Sequence, residues 1–100
     1  MADFRVGKIM ECNPHPESEN LYIEKIDIGE GQHRTILSGL QKAFTVEQMK
    51  EGLCVVYANL KERPIGKIPS NGMVMCASDE AKTMFEMVKP PAGAKIGERI

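Results

Sequence analysis

Most of the residues that could do chemistry in this chain lie between Asn59 and Ala77, which read NLKERPIGKIPSNGMVMCA. Lys61, Arg63 and Lys67 stand against a single acid, Glu62, in a turn-rich segment that also carries Pro64, Gly66 and Pro69. Ser70, Asn71 and Gly72 then lead into an apolar run from Met73 to Ala77. Cations at this density attract phosphates, while the amide of Asn59 and the hydroxyl of Ser70 can bond a phosphate or a 2′-OH. The thioether of Met73 is soft enough to pack on a base or a ribose. Each residue also has an ordinary reading: solvated loop charges, turn caps at Asn59 and Ser70, a core position for Met73.

No catalytic residue stands out. A Cys nucleophile needs a His base and an oxyanion hole, and no such pairing is visible. Cys12, Cys54 and Cys76 are odd in number and widely spaced, without a CxxC or Cys-His cluster, so neither zinc nor another metal is expected. His15 sits between two prolines and reads as a packed turn residue, and no third ligand accompanies it and His33. No cofactor is implied, because glycine-rich phosphate motifs are absent.

The 100 residues suffice for one domain with a modest core. With 42% apolar and 27% charged residues the mixture is that of a globular chain. The net charge of −1 excludes bulk attraction to polyanions, so any nucleic-acid binding must come from a local patch. Aromatics are scarce, with no Trp, two Tyr and three Phe. Tyr57 and Phe44 read as core, which argues against a stacking reader of single-stranded bases. Free cysteines in apolar runs, with no membrane span and no signal peptide, suggest a soluble protein of the cytoplasm.

The elements that must position the basic segment follow from periodicity. Phe4 to Cys12 is a strand, with Gly7 expected to mark a bulge. Asn13-Pro14-His15-Pro16 ends it. Leu21 to Ile28 is a second strand whose apolar set changes phase, from Leu21 and Ile23 to Ile26 and Ile28, and a kink is expected there. Gly29-Glu30-Gly31 signals a hairpin into a third strand, Arg34 to Ser38. Thr45 caps a short helix over Val46 to Lys50, with Gln48 completing a capping box. Leu53 to Ala58 is a nearly continuous apolar run, as in a central strand. Met73 to Ala77 is the fifth strand, with the basic stretch as a loop before it. Asp79 to Pro90 fits either a helix or a strand from Met84 to Val88, and Ala92 to Ile100 reads as a loose coil. Five short strands with one helix between the third and fourth match an OB-fold barrel, all-β apart from that helix. The expected layout is one domain over 1–100, with a barrel over about 3–78. The remaining 79–100 would form an extension whose tail, from Pro90, is a candidate dimer element.

The segments HPESENL, RTILSGL, VVYANLK and SNGMVMCA carry a resemblance. Together they are similar to the tRNA-binding domain appended to methionyl- and tyrosyl-tRNA synthetases. The same domain occurs free-standing and in synthetase cofactors related to endothelial-monocyte-activating polypeptide II. The likeness runs from about Asp3 to about Glu98, and Asn59-Leu60-Lys61 with Ser70-x-Gly72-Met73 are its most specific parts.

The resemblance implies a noncatalytic OB-fold that binds tRNA by shape, in cis or in trans to a synthetase catalytic domain, methionyl in the first instance. The family's tRNA-contacting positions fall on Asn59, Lys61, Ser70 and Met73, and Arg63 matches a basic position in the same loop; Lys67 joins this set by its charge. Many members carry a Lys where this chain has Asn20, so that edge of the face lacks a cation. Free-standing members are homodimers, which makes a homodimer the expectation here. The alternative is a protein-interaction module like the related export chaperones, which share the fold but lack the Gly-Met pair present here as Gly72-Met73.

Overall fold

The computed structural model describes residues 3–59, 62–65, 68–78 and 85–100. Its framework is a five-stranded antiparallel sheet in the order β3 (Arg34–Ser38), β2 (Tyr22–Asp27), β1 (Phe4–Pro14), β4 (Cys54–Tyr57), β7 (Met73–Val74), curled into a nearly closed barrel of the OB type. β1 (Phe4–Pro14) is shared between two neighbours. Phe4 to Gly7 pair with β4 (Cys54–Tyr57), and Lys8 to Pro14 pair with β2 (Tyr22–Asp27). The bulge that lets one strand serve both halves lies between Ile9 and Glu11, not at Gly7. An extra residue there moves the inward face from Ile9 to Cys12, three positions on, where regular alternation would give an even step. Gly7 has a different task. A Cβ at this position would stand 3.0 to 3.2 Å from methyls of Ile26, Val56 and Ile28, so glycine permits close approach across the barrel.

The expected kink in β2 is absent. Tyr22, Glu24, Ile26 and Ile28 all face inward, in unbroken alternation. The apparent change of phase arises because a carboxylic acid occupies one inward position. Glu24 is fully buried; the Ser38 hydroxyl donates to its Oε2, and Oε1 has no hydrogen-bond partner among the described residues. Burial pushes its pKa up to about 8, with the Ser38 bond opposing. Burial, reinforced by that neighbouring acid, also raises Cys12 to about 12 and Cys54 to about 11, so both thiols stay protonated and inert.

β3 (Arg34–Ser38) has the range that periodicity predicts. The helix α1 (Val46–Met49) begins with the expected capping box, Thr45 Oγ1 accepting the Gln48 N–H while Gln48 Oε1 accepts the Thr45 N–H. Met49 from this turn is buried in the same core cluster as Ile9, Cys12 and Tyr22, whose hydroxyl bonds the Phe44 carbonyl at 2.7 Å.

Beyond β4 the chain departs from expectation. Within the basic segment, β5 (Arg63–Ile65) and β6 (Ile68–Ser70) pair antiparallel. The predicted fifth strand divides at Met75 into β7 (Met73–Val74), paired with β4, and β8 (Cys76–Ser78), paired with β9 (Phe85–Met87). The strand option for the segment before Pro90 is therefore realised over Phe85–Met87, while residues 79–84 lie outside the described residues. The tail is not a loose coil. Gly97 and Ile100 donate to the carbonyls of Val6 and Phe4 at 2.8 and 3.0 Å, and the Val6 N–H returns to Glu98. These bonds cover the edge of the first half of β1 that β2 leaves open.

Candidate nucleic-acid interface

The barrel closes where β3 meets the turn between β6 and β7. The Asn71 N–H reaches the Thr35 carbonyl at 2.9 Å, and the Leu37 N–H reaches Ser70 Oγ at 3.0 Å. Ser70 is buried, and its hydroxyl also approaches the Gly72 carbonyl at 3.4 Å. The hydroxyl is thus occupied within the seam and shapes the loop from inside.

Two residues on, the chain turns outward. Gly72 adopts φ +133°, and a Cβ there would lie 3.0 Å from the Tyr57 carbonyl and 3.2 Å from Ile36 Cδ1. Only glycine meets both conditions. Met73 then pairs with Tyr57 across the β4–β7 ladder. Strand alternation sends Val74 into the core and Met73 out of it, leaving Met73 44% exposed. An exposed thioether on a strand is available for contact.

Asn59 lies two residues past the end of β4 and is exposed. Its Oδ1 accepts the Asp3 N–H at 2.8 Å, and the Ala58 N–H donates to the Asp3 carbonyl at 2.7 Å. The oxygen end of the amide is thereby fixed against the start of β1. The Asp3 carboxylate takes Arg5 Nε at 3.1 Å and lies 3.3 Å from Arg99 Nε, with Arg5 the main cause of its lowered pKa.

The ladder brings Asn59 and Met73 to the same end of the barrel. Asn20 is elsewhere: its carbonyl accepts the Gln41 N–H at 3.2 Å, beyond the Ser38 end of β3 where Tyr22 pairs. Arg63 lies in β5 opposite Ser70, with its side chain outside the described residues. Lys61 and Lys67 also lie outside the described residues.

One participant was not singled out from sequence. Arg34 opens β3, and its Nε and Nη2 bond the two carboxylate oxygens of Glu30, each at 2.8 Å. Nη1 reaches the Ala58 carbonyl and, at 3.2 Å, the Asn71 carbonyl. Each member of the pair moves the other's pKa, Glu30 downward and Arg34 upward, mainly through their hydrogen bond. Glu30 lies four positions before Arg34, a spacing visible in sequence, but the two carbonyls that Arg34 serves come from segments distant in the chain. Together these residues wall an open polar cleft with Gln32 and His33. Among the described residues no group of three or more His, Cys, Asp or Glu could hold a metal ion, and no helix is long and apolar enough to cross a membrane.

A small OB barrel with a polar, strand-borne face at one end defines a ligand-binding module. Residues 4–99 match the family described as "Putative tRNA binding domain", and the chain belongs to that family. It is 43% identical over 99 residues to the cytoplasmic tyrosine–tRNA ligase of Danio rerio, covering 98% of this chain and 19% of the ligase. Against the cytoplasmic methionine–tRNA ligase of Arabidopsis thaliana it is 43% identical over 98 residues, covering 98% of this chain and 12% of that one. The chain therefore spans less than a fifth of the length of either ligase. Among solved structures, the C-terminal domain of Plasmodium vivax p43 superposes with a TM-score of 0.90 at 37% identity, covering 98% of this chain and 58% of that one. The CsaA chaperone of Picrophilus torridus superposes at 0.84 with 20% identity, covering 99% of this chain and 91% of that one, and shares the fold. The family is one of binding domains, so the chain is a noncatalytic module.

Proposed function

We propose that this domain binds tRNA by backbone and shape, and delivers it to an aminoacyl-tRNA synthetase catalytic domain in cis or in trans. A methionyl enzyme is the first choice, in the cytoplasm. Arg63 with Lys61 and Lys67 supplies the phosphate grip, Asn59 adds polar contacts, and Met73 packs on a base or ribose. Ser70 serves from within, by shaping the loop that carries Met73. Asn20, away from the Asn59 and Met73 end of the barrel, would add polarity without charge to an RNA that reaches that far. The observation that carries this reading is the outward Met73, paired with Tyr57 at the end of the barrel where Asn59 lies, on a barrel whose family match runs over residues 4–99.

The gain to a synthetase is one of effective concentration, since a weak second grip on a tether makes the next encounter intramolecular. A homodimer would extend the face across one tRNA, with 79–100 as the candidate pairing element.

The test is a titration of labelled tRNA against the wild type and Lys61→Ala/Arg63→Ala at two salt concentrations. Losing two phosphate contacts should flatten the plot of log affinity against log salt by about 1.4 to 1.8. Absence of binding at low salt, or an unaltered slope in the double variant, would sink the reading. Capture of unfolded polypeptide in its place would identify a chaperone-like module. Sedimentation of the free domain tests the dimer.

A further inference from the structure

The interface residues sit on strand ends, where backbone groups run out of ladder partners. Ala58, just after β4, immediately precedes Asn59; Asn71, just after β6, immediately precedes Gly72 and Met73. Their carbonyls stand just outside the two ends of the segment 59–70. Both carbonyls accept from the same nitrogen, Nη1 of Arg34. Asn71 is held a second time, by its own N–H on the Thr35 carbonyl at 2.9 Å. Arg34 itself is fixed by its backbone, opposite Ile26 in the β2–β3 ladder, and by the two-point bond to Glu30.

We propose that Arg34 is a positioning residue for the tRNA-binding face, a clamp that sets the spacing between Asn59 and Met73 through the carbonyls of Ala58 and Asn71. The inference rests on the tRNA-binding reading and adds to it a residue outside the basic segment. A planar guanidinium suits the task because its donors diverge in fixed directions, so one edge serves Glu30 while Nη1 serves the loop ends. A lysine would carry the same charge without that geometry. The Glu30 carboxylate opposes the guanidinium charge, and its two-point grip holds the donors toward the protein. Arg34 therefore acts on RNA through its neighbours.

The experiment uses the full chain in three forms: wild type, Glu30→Gln, and the double variant Arg34→Gln/Glu30→Gln, which keeps the net charge of the wild type. For each, tRNA affinity is measured across salt, and amide hydrogen exchange is followed without RNA. A clamp predicts roughly tenfold weaker binding in the double variant, the scale of losing a hydrogen bond to a charged group. The salt slope should stay unchanged, because no phosphate contact is lost. Glu30→Gln should also weaken binding, although removing an anion would strengthen it if Arg34 touched phosphate. Exchange should quicken at Asn71 in the double variant, while the Val6 amide, bonded to Glu98 on the far edge of β1, keeps its rate. Tighter binding by Glu30→Gln, or a slope reduced by about 0.7 to 0.9 in the double variant, would make Arg34 a phosphate contact and overturn the proposal. Unchanged exchange at Asn71 would overturn the clamp itself. A wild type without tRNA affinity would overturn the functional reading beneath it.

Discussion

Ser70 Oγ accepts the Leu37 N–H at 3.0 Å, so a side chain takes the place of a backbone carbonyl where the barrel closes. Ser70→Ala leaves that N–H without its partner in a buried setting, at a cost of about 1 to 3 kcal/mol. Urea unfolding should show the midpoint falling with the m-value preserved. A variant as stable as the wild type would mean that the seam does not depend on this bond.

Glu24 makes stability depend on pH in a definite direction. Its folded pKa of about 8 lies above the ordinary 4.5, so between these values the folded state holds a proton that the unfolded state has released. Stability is therefore greatest below the lower value and falls as pH rises toward the upper one, by up to about 1.4 kcal/mol per pH unit. Asp3 and Glu30, both with lowered pKa, act oppositely, and their contribution disappears as pH falls through the acid range. Unfolding at about pH 5, 7 and 9 should give the most stable protein at the first. In Glu24→Gln the decline between about pH 5 and 7 should vanish, while the raised thiols of Cys12 and Cys54 still take stability away toward about pH 9; a decline that persists below about pH 7 would have to come from another group.

Met73 separates stability from binding. Because its side chain is 44% exposed, Met73→Ala should change stability by no more than about 0.5 kcal/mol. Affinity for tRNA should nonetheless fall severalfold, read in the same titration as the wild type. A folded variant that binds tRNA at full strength would remove Met73 from the contact set.

Gly97 is the hinge of the tail. It adopts φ +87°, and a Cβ there would stand 2.9 Å from the Ile28 carbonyl. Gly97→Ala should cost more than about 1 kcal/mol and speed exchange at the amide of Ile100, which bonds Phe4. Gly93→Ala is the comparison: φ is again positive, at +86°, but nothing lies within 4 Å of the added atom. Equal losses in the two variants would mean that backbone conformation alone, without the contact, sets the cost.

Elements with local causes were legible in the sequence. The Thr45–Gln48 capping box, the span of β3 and the apolar run of β4 each depend on residues within a few positions of one another. Glu24 hid the regular alternation of β2, because a buried acid reads as an outward residue unless its burial is known. Pro64 and Pro69 made the β5–β6 pair look like a loop, although short strands at an edge tolerate proline. Nothing local marks Ser70 or Arg34 as parts of the seam, since their partners, Leu37, Ala58 and Asn71, come from other strands. The tail looked unstructured for the same reason: its partners, Phe4 and Val6, lie at the other end of the chain.

That last pairing has a kinetic consequence. The Ile100 N–H bonds the Phe4 carbonyl, so the first strand gains its last partner only when a loop of nearly the whole chain has closed. The pairing of β1 with β4 likewise joins strands far apart in sequence, and folding should be slow for a chain of this size, set by topology more than by stability. During synthesis, the outer edge of residues 4–6 waits uncovered until residues 97–100 emerge. Over that interval a second nascent copy could pair with the same edge, and refolding at high concentration should divert part of the chain into strand-exchanged assemblies that dilution suppresses.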